Sequence, residues 1–580
     1  MKNKSSKRLT VFIILILFLT GIYAWQRPSG SFYDIVVFGG GFGGTAAAVS
    51  AAKAAPERSI LLVMPEAVPG GLGTVGGQNF FDIRLWRWEL MNGGSFARWF
   101  EQLGQFYNTA EAAELLAAEL AAHENITVLY RKDLEAVRRN DGKIISLSLR
   151  EVLPDSDGAI TWGKSRKKVR GNVFIDASEE GRLARLAEVE LLAGRSDWPK
   201  ELLPADEQGG VARQQAATLM FKVQGVAAPE RSGSFGDLFF TRDRRGSWGI
   251  WGGLEGYTSD EIVTVFNRVY GPAGFAIKPF NIAQNGAGSN EWWVNMLLIF
   301  DVDGRAHLRD KGTDRFPADK RPEQTDTDTA YIAAREFLLN PAFWQAMRRF
   351  TYMDEETGKA YGLHDVNPVL DEYGRPVTGE SLYLRETVHM PLANLQPDPP
   401  HPNPLPEGEG FSRINGTDES SFALTPLECQ KAGTEPTEGG DLANYAGRIG
   451  LGFYAMDINA YLYSDLLDGE EFVWPVTGYL RPNWLASGGE PKNPVYLPFE
   501  MLITTHAENL LIPGYATGTA SLAWAAIRVL PNLTVLGDAA GAAAALSVEK
   551  NIPPPRFKEA EIAALQDVLR EMGAILDKDH

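Results

Sequence analysis

Cysteine is almost absent from this chain of 580 residues, which contains only Cys429. A single thiol cannot form an intramolecular disulfide, a dithiol redox pair or a cysteine-ligated zinc or iron–sulfur site. Histidine is also scarce, because the chain has only seven and no two of them stand at metal-ligand spacing. We therefore predict no metal site, and redox chemistry in this protein would require a bound organic cofactor.

Basic residues are in deficit as well, with 56 lysines and arginines against 74 aspartates and glutamates and a formal net charge of -18. Such a charge repels phosphate backbones, which argues against nucleic acid as a partner. Hydrophobic residues make up 44% of the chain, enough to build sizeable cores. A chain of this length has room for about two to four domains.

One long apolar run stands at the N-terminus, where basic residues precede Leu9–Trp25. This arrangement is typical of export signals, because the positive flank stays in the cytoplasm. Cleavage after Ala24 and retention as a membrane anchor both remain open. We expect the body of the protein to be exported, either tethered to the membrane by the uncleaved segment or released to the periplasm or the extracellular space.

Apolar strands and helical segments alternate after this region, the pattern of a doubly wound parallel sheet. The predicted elements are Asp34–Phe38, Thr45–Lys53, Ser59–Met64, Ala110–His123 and Ile126–Tyr130. The turn signal Asn140-Asp141-Gly142 then predicts a hairpin within an inserted β-meander, which precedes another buried strand at 172–175. The fold class is α/β, with a second, mixed α+β domain.

The predicted organisation has four parts. Residues 1–27 form the signal peptide or anchor, and 31–205 with 500–550 form a discontinuous dinucleotide-binding domain. Residues 206–499 form a substrate domain with a proline-rich exposed loop at 397–410, and 551–580 form a C-terminal helix.

A glycine motif carries the first chemical signal: Gly39-Gly40-Gly41-Phe42-Gly43-Gly44 follows a predicted strand and opens a predicted helix. In this context the glycines allow a tight turn, a close approach of a pyrophosphate and close helix–strand packing. The helix N-terminus adds free N–H groups for the phosphates. We therefore predict that Gly39, Gly41, Phe42, Gly43 and Gly44 contact a dinucleotide.

The acidic residue that would bind the adenosine ribose is displaced in this sequence. Met64 occupies the usual position at the end of the second strand, and Glu66 lies two residues further on. Either Glu66 binds the ribose across a kink at Pro65, or it is a solvated loop acid and the ribose is held otherwise.

Several longer segments share one resemblance. They are MPEAVPGGLGTVGGQNFFD at 64–82, VFIDASEEGRLARLAEV at 173–189, AATLMFKVQGV at 216–226, LYLRETVHM at 382–390, GFYAMDINAY at 452–461 and the segment 508–546. Together and in this order they resemble a family of FAD-dependent oxidoreductases with a glutathione-reductase-type FAD fold. That family includes proteins that carry the name xanthan lyase.

The resemblance implies FAD as the cofactor and assigns further residues to it. It implies that 509–512 is the last strand of the FAD sheet and that 531–546 is one helix whose N-terminus points at the flavin. Judged alone, the segment around Asp538 also reads as strand, turn and helix, with Asp538 holding the ribityl chain. The further residues that we predict to contact FAD are Glu66, Gly70, Gly71, Thr74, Leu134, Ala177, Gly514, Tyr515, Asn532 and Leu533.

Four residues are candidates for catalysis. Arg385 and Arg528 would position an anionic group or stabilise charge, although each could equally be a structural ion-pair residue. His389 and His506 would act as general acid or base, unless they are ordinary histidines. The reaction expected is hydride transfer between a small organic substrate and flavin N5, with an unidentified electron acceptor.

Three other functions stay open from the sequence. They are a dehydrogenase that uses only nicotinamide, a lyase-like protein acting on polysaccharide, and a flavin-binding protein without turnover. The last is compatible with departures from the family pattern, which usually has Arg where Tyr515 stands, Asp where Phe453 stands and His where Asn459 stands.

Overall fold

The computed structural model of the protein describes residues 30–198, 200, 203–390, 423–466 and 491–579. The predicted N-terminal segment at 1–27 and the predicted loop at 397–410 lie outside the described residues.

A parallel sheet forms the centre of the first domain. Its strands lie in the order Ile126–Leu129, Ile60–Val63, Ser31–Phe38, Ile160–Asp176 and Leu510–Leu511. Ile35 and Val37 face one hydrophobic core, and Val36 and Phe38 face another, so both faces of the central strand are covered. Burial on both faces explains its continuous apolar sequence. The predicted doubly wound sheet is confirmed.

The inserted meander is also confirmed. Strands Lys132–Asn140 and Lys143–Pro154 form a hairpin around Asp141 and Gly142, whose φ angles are 48° and 72°. Positive φ at both turn residues is the geometry that favours Asp-Gly in two-residue hairpins. Ile160–Asp176 is longer than predicted, because its first half pairs antiparallel with the meander and its second half pairs parallel with the central strand.

Two helices pack directly on each other beside this sheet. Phe42–Ala54 follows the glycine motif, and Leu530–Lys550 carries Pro531 in its first turn, as the resemblance implied. A Cβ on Gly537 would lie 2.0 Å from the carbonyl oxygen of Gly43. Such a distance leaves no room for a side chain, so glycine is required where the helices cross.

Asp538 lies inside this helix and accepts hydrogen bonds from Ser50 Oγ at 2.5 Å and from Ser95 Oγ at 2.6 Å. It therefore joins three helices rather than holding a cofactor hydroxyl. The other helices of this part of the molecule are Gly94–Leu103, Thr109–Ala121, Arg182–Leu186, Pro426–Gln430, Ser521–Ile527 and Glu559–Glu571.

The second domain is built on an eight-stranded antiparallel sheet with helices on one side, which confirms the mixed α+β class. Its strands are Ala217–Thr218, Phe221–Gln224, Gly233–Phe235, Leu238–Arg242, Trp248–Gly252, Phe275–Gln284, Glu291–Ile299 and Asn367–Pro368. Its helices are Leu254–Ser259, Glu261–Tyr270, Thr327–Phe337 and Pro341–Met347. Trp292 lies in its core, as expected for an aromatic residue of a strand.

Part of the region assigned to the second domain packs elsewhere. Strands Arg448–Gly452 and Val495–Pro498 pair with each other, and Leu424, Ile449 and Leu497 lie in the same core as the helix Leu530–Lys550. The range 206–499, predicted to form the second domain, therefore contains residues that pack with the parallel sheet of the first domain. Local patterns show which residues are apolar but not which core receives them.

Among the described residues no single helix is long and apolar enough to cross a membrane. Only the two helices Ser521–Ile527 and Leu530–Lys550 taken together have that length and apolar composition, and the chain bends by 96° between them. Both helices are almost entirely buried in the protein.

The close contact between the two helices predicts that a Gly→Ala substitution lowers stability, opposite to its usual effect in a helix. Gly→Ala inside a helix normally stabilises by about 1 kcal/mol. We expect Gly537→Ala instead to destabilise the protein by about 1–3 kcal/mol, because the added methyl overlaps the backbone of the facing helix. Thermal unfolding compared with Gly209→Ala, at an exposed glycine with no atom within 4 Å of its Cβ position, measures the effect. A Gly537→Ala variant more stable than the wild type would contradict the described crossing.

Candidate active site

The glycine loop has the geometry that a pyrophosphate site requires. Gly39 has φ +105°, and Cβ atoms on Gly39 and Gly44 would collide with the backbone at 2.6 Å and 1.8 Å. Gly41 is different, because nothing lies within 4 Å of its Cβ position. No side chain caps the helix that begins at Phe42. The free N–H groups of that helix and the open space at Gly41 together form a cradle for phosphate.

A cavity extends from this loop to the second domain. The first domain contributes the end of its central strand, the glycine loop, the turn after the second strand and the segment after the long strand, and the second domain covers them. The lining residues include Phe38, Gly39, Gly40, Gly41, Pro65, Glu66, Gly71, Leu72, Val75, Arg131, Ala177, Ser178, Glu179, Glu180, Gly304, His307, Arg309, Thr327, Tyr331, Glu380, Ser381, Leu382 and Leu384.

Glu66 lies in this cavity with its Oε2 atom buried and without a hydrogen-bond partner among the described residues. Burial raises the pKa of this carboxyl to about 7. An unpaired buried oxygen is costly unless a donor reaches it, and a ribose hydroxyl is such a donor. Glu66 is therefore not a solvated loop acid, and its contact with the ribose stays a prediction.

The other predicted cofactor residues converge on the same end of the sheet. Gly70 N donates to Gly40 O at 2.7 Å, and Tyr515 N donates to Ser178 O at 3.1 Å. The carbonyl of Leu533 lies 2.8 Å from the Cβ position of Gly43. These backbone contacts bring the loop, the turn and the N-terminus of Leu530–Lys550 together. Three further members of the set lie there as well: Gly71 and Ala177 in the cavity lining, and Gly514 against the backbone of Ala177 and Ser178.

Three residues predicted to contact FAD already form hydrogen bonds within the protein: Leu134 through its backbone, and Asn532 and Thr74 through their side chains. Leu134 N donates to Asp133 Oδ1 at 2.6 Å and Leu134 O accepts from Arg182 at 2.9 Å, so its backbone has no free group for a cofactor. Asn532 Nδ2 donates to Ala526 O at 2.9 Å. Thr74 Oγ1 donates to Pro69 O at 2.9 Å and closes its own turn. Sequence patterns do not reveal such local pairings.

Arg385 and Arg528, far apart in sequence, meet at one carboxylate. Asp457 Oδ2 lies 2.9 Å from Arg385 Nη1 and 2.8 Å from Arg528 Nη2, and Arg528 also donates to the hydroxyl of Tyr383. Although burial opposes ionisation, the two guanidinium groups hold the pKa of Asp457 below its usual range. We call the group around this contact the arginine cluster; its members are Asp82, Lys278, Tyr383, Arg385, Tyr454, Asp457 and Arg528.

The cluster retains unused hydrogen-bond donors. Arg385 Nε and Arg528 Nε are buried and have no hydrogen-bond partner among the described residues. The segment that carries Tyr383 and Arg385 also contributes Leu382 and Leu384 to the cavity lining. Tyr383 and Arg385 thus alternate in sequence with two lining residues, although no member of the arginine cluster itself lines the cavity.

The two predicted histidines lie outside this site. His506 is one-third exposed, with Nε2 3.9 Å from a carboxylate oxygen of Glu190. His389 is buried 3.6 Å from Asp197, and burial lowers its pKa. Neither lines the cavity or belongs to the arginine cluster. The histidine of the cavity is His307, whose Nε2 lies 2.6 Å from Glu180, a contact that no local motif indicated.

Sequence reasoning missed two further charged members of the arginine cluster. Asp82 ends a segment that was assigned to the cofactor, and burial raises the pKa of its carboxyl. Lys278 lies in the middle of the second sheet, and the only nearby signal is Pro279, which cannot donate to a sheet ladder. Asp457 was noticed only as part of a resembling segment, without a role.

These features define a flavoprotein of the dinucleotide-binding α/β class. A family model described as FAD dependent oxidoreductase matches residues 34–391 and 442–569, which is most of the chain. The protein belongs to this family of FAD-dependent oxidoreductases, and its cofactor is FAD. No curated protein matches the sequence.

Solved structures give only distant likenesses. A myxobacterial chondrochloren halogenase, described as FAD-dependent, shares 14% identity over 46% of this chain and 53% of its own, with a TM-score of 0.25. A geranylgeranyl bacteriochlorophyll reductase-like protein from Thermoplasma acidophilum shares 15% identity over 46% of this chain and 57% of its own, also with a TM-score of 0.25. The chain thus matches little more than half the length of either structure, and neither likeness bears on the reaction.

The residues present fit FAD, as the open cradle at Gly41 and the unpaired oxygen of Glu66 indicate. The glycine loop would hold the pyrophosphate and Glu66 the ribose, while the uncapped start of Leu530–Lys550 provides N–H groups for a polar edge of the cofactor. When bound, FAD supplies two-electron chemistry, and the protein supplies position and electrostatics.

The cradle yields the second prediction. Gly41 has φ -62°, so a larger residue fits the backbone, but its side chain would enter the phosphate space. We expect the Gly41→Val protein to fold and to bind no FAD. The melting temperature of its apoprotein should equal that of the wild-type apoprotein. Gly209→Val, at an exposed turn, should keep its FAD. Flavin absorbance per protein after gel filtration measures both. Stoichiometric FAD on the Gly41→Val protein would refute the assignment of the site.

Proposed function

We propose that this protein transfers a hydride between a small anionic organic substrate and the flavin, with the anionic group of the substrate held by the arginine cluster. The observation that carries the proposal is the pair of arginines that share a single carboxylate. Arg385 and Arg528 both pair with Asp457 through the same oxygen, Oδ2.

The charge balance of the cluster supports an anionic ligand. Arg385 and Arg528, each 2% exposed, share the single carboxylate of Asp457, and burial opposes the ionisation of Asp82, the other carboxyl of the cluster. Buried charge is unfavourable unless it is compensated, and a carboxylate on the substrate compensates it. The unpaired Nε atoms of both arginines supply directed donors for the same group.

The residues of the arginine cluster would then have different roles in binding the substrate. Asp457 and Tyr383 hold the planes of the guanidinium groups, because both contact Arg528. Arg385 and Arg528 bind the anion and thereby orient the neighbouring carbon of the substrate. Burial of the cluster excludes water, which strengthens each of these contacts.

Anaerobic titration of the purified yellow protein tests this function. We expect a panel of small hydroxy and amino acids to contain compounds that bleach the flavin, whereas their amides and esters leave it oxidised. Bleaching by neutral compounds alone would contradict the anionic substrate. Flavin that no compound reduces, combined with binding of polysaccharide, would favour the lyase-like or non-catalytic alternatives.

Removal of one arginine should weaken binding by a predictable amount. Charge-assisted hydrogen bonds contribute about 1.5–3 kcal/mol, so we expect Arg385→Met to raise the Kd for acetate roughly 10- to 100-fold while FAD stays bound. The matched control is Arg349→Met, which removes a half-exposed arginine paired with Asp260. Calorimetry on the FAD-loaded proteins measures both. Equal acetate affinity in the wild type and Arg385→Met would exclude Arg385 from anion binding.

We also propose that the protein works outside the cytoplasm, since basic residues precede the apolar run 9–25. A phosphatase reporter fused after residue 580 should be active only if the body of the protein is exported. Deletion of residues 2–25 should abolish that activity and leave the amount of fusion protein unchanged. Reporter activity that survives this deletion would contradict export through this segment.

A further inference from the structure

Lys278 lies beside an irregularity of the second sheet. Strand Phe275–Gln284 pairs with Glu291–Ile299, and its register shifts between Ile277 and Asn281. Residues 278–280 there stand opposite residue 296 alone, and Pro279 has no N–H for the ladder. Such bulges redirect side chains and occur beside active sites.

The direction of the side chain follows from its neighbours on the strand. Ile277 and Phe280 both lie in the core of the second domain. Lys278 instead feels the charges of Arg385, Asp457, Arg528 and Asp82, so its amine lies toward the arginine cluster. Ordinary alternation places Lys278 on the same face as Ala276, opposite Ile277, and the irregularity returns Phe280 to the core side.

The amine of Lys278 has no compensating partner. Lys278 is 3% exposed, and no hydrogen bond or ion pair joins its Nζ to any of the described residues. The nearby carboxylate of Asp457 is already shared by two arginines. Burial, with the charge of Arg385 adding to it, lowers the pKa of Lys278 to about 7.

A structural lysine in the same chain shows the contrast. Lys578 is also buried, but its Nζ donates to Asp441 Oδ2 and to Gly433 O, both at 2.8 Å. That pairing satisfies the ammonium group and holds the C-terminal segment in place. Lys278 lacks such contacts, so a role in holding the fold does not account for a lysine at this position.

We propose that Lys278 is the proton acceptor and donor of the reaction, and that the substrate is an anion whose reacting carbon carries a hydroxyl or amino group. This inference rests on the function proposed above. In the oxidative direction bound FAD would supply the acceptor for the hydride of the C–H bond, and the O–H or N–H proton would pass to the lone pair of Lys278 Nζ. A C=O or C=N bond forms, and the substrate loses one hydride and one proton in total.

Neighbouring charges make the amine suitable for this role. The two arginines disfavour an ammonium group beside them, whereas Asp457 and Asp82 favour it. A group that titrates near neutrality can both take up and release a proton under working conditions. The free amine is therefore available while the anion of the substrate occupies the guanidinium groups.

The first arm of the test follows the ionisation of Lys278 without any substrate. An unfolded lysine titrates near 10.4, so from about pH 7 to pH 10 the unfolded chain binds one more proton than the native protein at this site. The stability of the wild type should therefore rise with pH relative to Lys278→Met across this window. Lys222→Met is the control, because it removes a lysine of the same sheet whose Nζ pairs with Glu291 at 2.8 Å.

The second arm measures acetate binding to the FAD-loaded proteins by calorimetry. Acetate affinity of the wild type should fall at least tenfold from pH 6 to pH 9, as the site loses a positive charge. Lys278→Arg, which keeps its charge, should bind acetate equally at both pH values, and Lys278→Met should bind it weakly at both. The rate of flavin reduction by a bleaching substrate should rise with pH in the wild type only.

The outcomes separate the two proposals. A melting difference between the wild type and Lys278→Met that does not change from pH 7 to pH 10 overturns the inference, whatever binds to the site. An unchanged reduction rate in Lys278→Arg also overturns it. If Lys278 titrates near neutrality but the protein neither binds acetate nor has its flavin reduced by any substrate, the proposed function is overturned. The assignment of the transferred proton to a substrate is then overturned with it.

Discussion

The site depends on the close crossing of the helices Phe42–Ala54 and Leu530–Lys550. The Cβ positions of Gly537 and Gly541 lie 2.0 Å and 2.2 Å from backbone oxygens of the facing helix, so only glycine allows the approach. Buried Asp538 adds hydrogen bonds from Ser50 and Ser95. Because of this contact, the glycine loop and the uncapped start of a distant helix meet at one edge of the sheet.

A second constraint is electrostatic. Two buried arginines share the carboxylate of Asp457, and burial opposes the ionisation of Asp82, the other carboxyl of the arginine cluster. Buried charges of this kind reduce stability unless a ligand completes them. We propose that this shared pairing also gives the site its affinity for an anion.

The second domain contributes residues to the cavity that begins at the glycine loop. Gly304, His307 and Thr327 line the cavity that begins at the glycine loop. Arg309 pairs with Asp133 of the first domain, and Arg182 of the first domain pairs with Asp310 at 2.7 Å. This network of buried ion pairs fixes the second domain over the cavity, and local sequence contains no sign of it.

The sequence by itself determined the order of the first strands and helices, the glycine cradle and the turn at Asp141 and Gly142, because each depends on short-range steric and hydrogen-bonding preferences. The helix that carries Pro531 followed from the resemblance, since the local pattern left a strand, a turn and a helix open. The resemblance also identified Arg385 and Arg528. Only the tertiary structure decided that these arginines share Asp457, that their charges act on Lys278, and that His389 and His506 lie elsewhere. These contacts join residues that are far apart in the chain, and such pairings are set by the packing of the two domains, which no local pattern encodes.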